Sequence, residues 1–359
     1  MALSDEQRAG LIRAQLGALV RDLTGVDSDV ASLGVNAATV FDGTAYLFAP
    51  AANAATLAGA MAWTIRQEAA DLVLFTDDLG GDVARMATDF TLPVTIRSVH
   101  GSSSVVVQPA PHPDVVAAPD APEAAGLIAQ LADAGLEIVV EDGVVRGEVR
   151  GLEVARLVVW PAESGGDGLL HLEAGVGRFD RDAVAAMHQG EPPTTTLARS
   201  VSLVRSERVA GGATHPLARL ARERWVRCAV LADPALVGAT QLHAVQTTVS
   251  RDNVRDVSPA AALGTAADGS PMLVVCSSGA DLGFVPIAAD TRAWLAPDAR
   301  LVLAVPGRDR LTLLDRLAAL LIEPAEVVTV PAPWDLVDDA ESSGAGPQGA
   351  AGPGSGIGA

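Results

Sequence analysis

Lysine is absent from this chain: all 25 of its Lys and Arg residues are arginine. That excludes a phosphate-loop lysine, a Schiff-base lysine and any nuclease or kinase centre that depends on a lysine ammonium. Cysteine is scarce as well. Cys228 and Cys276 lie far apart in apolar runs, which gives neither a disulfide framework nor zinc spacing, and both read as small core residues. Aromatic residues make up only 3% of the chain, so a core has to be built from alanine, valine and leucine. No stretch approaches ~18 uninterrupted apolar residues, so no membrane span is expected. The opening Met-Ala-Leu-Ser-Asp-Glu carries neither a basic segment nor an apolar one. No secretory signal is read there, and the expected location is cytoplasmic.

What is present supports a folded protein. Of 359 residues, 49% are hydrophobic and 19% charged, which rules out global disorder and suggests two domains or three small units. The formal net charge is −19. As a whole, the molecule repels nucleic acid and anionic membranes, so a membrane partner is not expected, while a local arginine patch remains able to grip phosphate.

Ser4-x-x-Gln7 is a capping box ahead of a helix to about Leu23, with Leu11, Ile12, Leu16, Leu19 and Val20 at helical spacing. Strands are expected at Thr44–Phe48, Asp71–Thr76, Pro93–Val99 and Ser104–Val107, with helices at Ala54–Glu68 and Gly81–Phe90 between them. This predicts a first α/β unit over 1–110, followed by a proline-rich linker over 111–122. A middle α+β unit is expected over 122–210. It has a helix to Gly135, strands at Glu137–Glu141, Val144–Trp160 (bent at Gly151) and Leu169–Val176, a short helix Asp180–His188, and a closing helix Thr196–Val209. A third unit covers 211–335, beginning with a helix His215–Ala232, and a Gly/Ser/Ala/Pro tail follows over 336–359. The fold class is therefore α/β, with mixed sheets flanked by helices in two or three small units. The second and third units look like distant repeats, Leu172-Glu-Ala-Gly175 matching Val275-Cys-Ser-Ser-Gly279.

In the third unit a helix ends in Leu231-Ala-Asp-Pro-Ala-Leu-Val-Gly238. A strand leads into Ala261-Ala-Leu-Gly-Thr-Ala-Ala-Asp-Gly269, then come Met272-Leu-Val-Val-Cys-Ser-Ser-Gly-Ala-Asp-Leu282, a helix and Arg300-Leu-Val-Leu-Ala-Val305. This order resembles the restriction-endonuclease-like nuclease superfamily, in particular the nuclease domain of single-strand-specific and mismatch endonucleases. The resemblance implies a nuclease-like fold for 215–330. It also implies that a metal-binding aspartate would stand at Ala261, a glutamate at Val275 and a lysine at Ser277, and all three are missing. Two carboxylates and a lysine are what would position Mg²⁺ and polarise the attacking water, so the family's chemistry is not expected here.

Four residues form the best remaining cluster for chemistry: Glu148, Glu153, His171 and Glu173. Strict alternation sets Glu153 on a face with Val149, Ala155 and Leu157, where a glutamate must be paired, protonated or metal-bound. One reading is a residual metal or acid/base site. The other pairs Glu153 with Arg156, Arg178 or Arg181 and leaves His171 at a sheet edge. Gly175-Val-Gly177 is read as a tight turn with Asp180 as a helix cap, in preference to a phosphate cradle. Arg219, Arg222, Arg224 and Arg227 share one helix with Trp225. With Arg205 and Arg208 just upstream, they read either as a phosphate-gripping face, with Arg219, Arg222 and Arg227 as nucleic-acid candidates, or as a solvated face that balances nearby carboxylates. No cofactor is implied. The expectation is a non-catalytic binding or assembly protein on a degenerate nuclease-like fold. The alternatives are a metal-dependent nuclease with a displaced carboxylate site, and a protein-interaction partner without nucleic-acid contact.

Overall fold

The computed structural model describes residues 4–335 apart from 161, 163–165, 178–191, 213–214 and 252. Helix α1 (Asp5–Thr24) begins at the Ser4–Gln7 capping box and stops at Gly25, which takes up the left-handed conformation at φ 75°. Three antiparallel strands follow, β1 (Ala31–Leu33), β2 (Asn36–Phe41) and β3 (Thr44–Phe48). Asp42 and Gly43, both at positive φ, close β2 onto β3 in the turn that suits twisted hairpins. The chain then winds through α2 (Ala54–Arg66), β4 (Asp71–Thr76), α3 (Gly81–Ala87) and β5 (Val94–His100), and β6 (Ser103–Val106) folds back on β5. The sheet order is β1-β2-β3-β4-β5-β6, and β3, β4 and β5 run parallel.

The second unit contains α4 (Ala124–Asp133), β7 (Glu137–Glu141), β8 (Val144–Val149), β9 (Leu152–Val159), β10 (Leu170–Ala174) and α5 (Pro193–Glu207). Its four strands are all antiparallel, in the order β10-β9-β8-β7. The sequence suggested one bent strand over Val144–Trp160; instead Arg150 and Gly151, both at positive φ, make a hairpin between β8 and β9. A Cβ on Gly151 would stand 2.6 Å from Trp225 N, so this turn is seated against the third unit's backbone. The short helix expected at Asp180–His188 and the tail over 336–359 lie outside the described residues.

The third unit has α6 (Arg222–Ala232), β11 (Ala239–Val245), β12 (Ala260–Ala266), β13 (Pro271–Cys276), α7 (Phe284–Leu295), β14 (Arg300–Pro306), α8 (Thr312–Ala319) and β15 (Glu326–Val330). The expected helix His215–Ala232 is broken. Pro216–Ala218 forms a 3-10 turn capped by His215, and Ala221, at φ 44°, separates it from α6. The sheet order is β11-β12-β13-β14-β15, with β13, β14 and β15 parallel.

The repeat in this chain therefore joins the first and third units, not the second and third. Each outer unit runs helix, three-stranded meander, helix, parallel strand, helix, parallel strand, while the second unit is an antiparallel sheet of different plan. The two copies face one another. Leu47, Leu57, Met61 and Leu74 of the first unit and Leu273, Val275, Phe284, Val285 and Leu303 of the third belong to one buried core. The outer face of the first sheet packs on α1 through Leu16, Leu19 and Phe48, and that of the third packs on α6 through Trp225, Val226 and Val274. The order of layers is α1, sheet, the helices α2, α3, α7 and α8, sheet, α6. Among the described residues no helix is long and apolar enough to cross a membrane.

Where the copies meet, α2 passes so close to the start of α7 that a Cβ on Gly283 would stand 2.8 Å from both Cα and N of Ala55. Gly283→Val should lower stability by about 1–3 kcal/mol through overpacking against backbone. Because one core joins both sheets, calorimetry should register one shifted transition for the outer units; two separate transitions would refute the shared core.

Candidate functional site

The sheet of the second unit has an apolar face and an ionised face. Leu131, Val145, Val149, Leu152, Val154, Leu157, Leu197, Val201 and Val204 fill the core between the sheet and helices α4 and α5. Direct cross-strand partners share a face. The pairs Glu137–Glu148, Val139–Arg146, Glu148–Glu153, Arg146–Arg156, Glu173–Arg156 and His171–Val158 therefore align eight ionisable side chains on the other face, Glu141 included by alternation along β7. A bulge opposite Gly147/Glu148 makes this alignment. It resets the alternation along β9, so Val154 and Ala155 both enter the apolar core and Glu153 turns to the charged face. Strict alternation had assigned Glu153 to the apolar face, and the bulge overturns that.

The β7–β8 end of this face is sealed by α6. Arg224 Nη1 donates to Glu141 Oε1 at 2.9 Å and to Glu148 Oε1 at 2.7 Å, and its Nη2 donates to Glu141 Oε2. Arg227 Nη1 donates to Glu141 Oε1 at 3.0 Å and Nη2 to Glu148 Oε2 at 2.9 Å. The Glu148 side chain is 0% exposed and that of Arg227 1%. Arg146 extends the network, donating to Glu153 Oε2 at 2.6 Å and approaching Glu141 Oε2 at 3.9 Å. At the β9–β10 end, Arg156 donates to Glu173 Oε2 at 2.9 and 3.0 Å, and Trp160 donates to Glu173 Oε1 at 3.3 Å. His171 stacks on Trp160 and meets Asp167 at 2.8 Å.

Burial alone would push the Glu141 carboxyl up, but the guanidiniums of Arg224 and Arg227 overcome it and hold the group down at about 2. Arg224, desolvated yet facing Glu148 and Glu141, is raised above its usual value. Glu137 and Glu223 at the margin are raised, chiefly by burial. Cys228 donates its thiol to Glu137 Oε1 at 2.9 Å, and burial and then the Glu137 charge push its pKa up. Burial takes Cys276 to about 12. Neither is a nucleophile at neutral pH, because the reactive species is the thiolate.

The sequence candidates are thus on one face without converging on a metal. Glu148, Glu153 and Glu173 each give their oxygens to a different guanidinium set, and His171 points to Asp167. Of the arginines named as partners for Glu153, Arg156 binds Glu173 instead, Arg146 takes the role, and Arg178 and Arg181 lie outside the described residues. Among the described residues no group of three His, Cys, Asp or Glu side chains could hold a metal ion. The arginine face is also not solvated. Arg224 and Arg227 are buried, Arg222 lies over the Trp334 ring at 4.6 Å, and Arg219 alone of the three nucleic-acid candidates is exposed. Gly175 and Gly177 take positive φ, as a turn requires.

Sequence reading missed Glu141 and Arg146. The signal available for Glu141 was Asp142-Gly143, a hairpin dipeptide with both residues at positive φ, which sets a paired strand end at residue 141. Arg208 is fully buried and donates to the carbonyls of Arg150, Leu217, Leu220 and Ala221 while stacking on Trp225 at 4.4 Å. Burial takes it down to about 10. It ties the β8–β9 turn to the start of α6.

One hollow adjoins these groups and another lies in the third unit. The first, of about 10 Å³, lined by Glu141, Arg224, Gln246, Arg251 and Ser258, has room for a single water. The second, of about 430 Å³, opens at the carboxyl ends of β14 and β15, where α/β sheets commonly take ligands, but its Arg308 is already paired with Asp335 at 3.1 Å. Compared with protein-family models, curated proteins and solved structures, the chain matches none.

Glu148→Ala would leave Arg224 and Arg227 sharing one carboxylate in a buried site, and should cost about 3–5 kcal/mol in urea denaturation. The Glu141 carboxyl is held below its usual 4.5. Its contribution to stability is therefore present above that value and lost as pH falls toward 2, which an acid titration of the folded state should show as a loss of the second unit's attachment.

Proposed function

We propose that this chain is a binding or assembly protein, non-catalytic, built on a nuclease-like frame used twice. The observation that carries the reading is the burial of Ala261 and Val275. These cross-strand partners on β12 and β13 occupy the positions where the resemblance calls for metal-binding carboxylates, and both are 0% exposed in the core shared by the outer units. The third position, Ser277, is buried at the end of β13. In the first unit the equivalent cross-strand pair is Ala38 and Leu47, directed into the same core. Both copies thus turn inward the face that a nuclease of this plan would open to metal and phosphate. Such chemistry needs carboxylates on a solvated face, and apolar residues at these positions supply none.

The reading of a protein partner without nucleic-acid contact gains support from Arg227. An arginine spent on Glu141 and Glu148 inside the molecule is unable to neutralise phosphate, and the surface is left with the acidic balance of the chain. A displaced nuclease centre at Glu148, Glu153 and Glu173 would have to release three carboxylates from Arg224, Arg227, Arg146 and Arg156.

Purified protein with Mn²⁺ should leave single-stranded, duplex and forked DNA, and RNA, uncut. Fluorescence anisotropy with the same strands in low salt, without metal, should register no binding at micromolar protein. Salt-sensitive binding abolished by Arg219→Ala with Arg222→Ala would restore the nucleic-acid reading, and metal-dependent cutting lost in Glu153→Gln would overturn the non-catalytic one.

A further inference from the structure

The outer units share a plan and differ most in one connection. In the first unit Gly34 and Val35 alone turn β1 into β2. In the third, residues 246–259 run between β11 and β12. Connections of that length are uncommon in compact units and mostly serve a site. This one lies on the second unit. Gln246 Oε1 accepts from Asp142 N at 2.7 Å, Ser250 Oγ donates to Asp142 Oδ1 at 3.0 Å, and Val254 packs against the second unit's apolar core.

The group that the connection carries inward is Arg251, 8% exposed. Its Nη1 is buried without a hydrogen-bond partner, and among the described residues no carboxylate pairs with it. The neighbouring carboxylates are engaged elsewhere. Arg224 and Arg227 hold Glu141 and Glu148, Arg146 holds Glu153, and Ser250 donates to Asp142. Glu223 attracts Arg251 from beyond ion-pair distance, and burial pushes its carboxyl toward the neutral form. Arg251 and Arg224 both line the hollow of about 10 Å³, and Arg224 Nε is likewise buried without an acceptor.

We propose that this hollow is a binding site for one halide-sized anion, chloride in the first place, which gives Arg251 its counter-charge and pins the 246–259 connection onto the second unit.

A guanidinium does not shed its proton in a protein, so Arg251 stays a cation wherever it is buried. A water in the hollow would accept from its N–H and leave that charge uncompensated, and a buried charge is far costlier than an unmet hydrogen bond. Burial first and the Arg224 charge second push Arg251 below its ordinary value, against the pull of Glu148, Glu141 and Glu223. An anion between the two guanidiniums works against both causes at once. The size of the hollow selects the class of ligand. Sulfate, phosphate and carboxylates are too large for it. Chloride is slightly wider than water, a difference that a wall built of side chains and a strand connection takes up.

The test is native-state amide exchange on the full chain at fixed pH and ionic strength, with sodium gluconate replaced stepwise by sodium chloride. Gluconate is too large to enter. The amides of Asp142 and Thr248 report the connection's two anchor points, on Gln246 and on Thr291. For a dissociation constant near ~10 mM, their opening should fall roughly fivefold between ~10 and ~100 mM chloride. Bromide should act as chloride does. The amide of Gly25, bonded to Arg21 O in the first unit, should not respond. Arg251→Gln keeps an N–H, removes the charge and should abolish the response. Arg308→Gln, beside the larger hollow, should leave it intact. Equal opening in the two salts would mean that the hollow takes water only, and would overturn the site. A chloride response that survives Arg251→Gln would place the ion elsewhere and overturn it too. If Arg251→Gln does not fold, Gln246→Glu decides. It keeps the acceptor for Asp142 N, adds a negative charge to the wall and should weaken the response several-fold; an unchanged response overturns the site.

Discussion

Two arginines one helical turn apart on α6 and two glutamates on neighbouring strands set the relation between the second unit and the rest of the molecule. Arg224 and Arg227 both reach Glu141 and Glu148, and the four charges cancel in a buried place. Such a quartet tolerates little displacement, since any group left alone keeps its charge without solvent. It fixes the angle at which α6 crosses the ionised face. Gly151 allows the β8–β9 turn to approach the backbone of α6, and Arg208 caps that contact with four carbonyls. The same α6 presents Trp225 and Val226 to the third sheet, so one short helix joins the ionised face of the second unit to the core of the third.

Much of the outer architecture was legible in the sequence. The capping box at Ser4, the apolar run of β4 and those of β13 and β14 carry strong local signals, because a buried parallel strand needs consecutive apolar residues. Strands β1 and β2 were not legible. Ala37 and Ala38 fill the centre of β2, and alanine has no β preference to betray it. Once those two strands are counted, the first unit has the plan of the third, and the repeat that the sequence suggested between the later units moves to the outer ones.

The candidate site was legible as a set of residue types and not as a geometry. Glu148, Glu153, His171 and Glu173 do share one sheet face, but the bulge that brings Glu153 there leaves no periodic trace. Arg224 and Arg227 have the spacing of a solvated helix face. Their partners lie 76 to 86 residues earlier, and no local pattern in one sequence reports a pairing over that distance. The pair that Arg85 on α3 makes with Asp290 on α7 spans 205 residues and was invisible for the same reason.

The inward-facing copies also constrain how the protein is made. Leu57 and Met61 of α2 and Val83 of α3 wait for Phe284, Val285 and Leu317, which lie beyond the entire second unit in the chain. During synthesis the first unit therefore emerges with one apolar face bare, and it stays bare while some two hundred further residues are added, a span over which domains otherwise fold in turn. The contacts that close this face are among the most distant in sequence, and loop closure of that length slows their formation. In a nascent chain of this kind the vulnerable interval falls after the first sheet has formed and before α7 arrives, when two chains on one messenger could cover each other's α2 and α3 in place of their own α7.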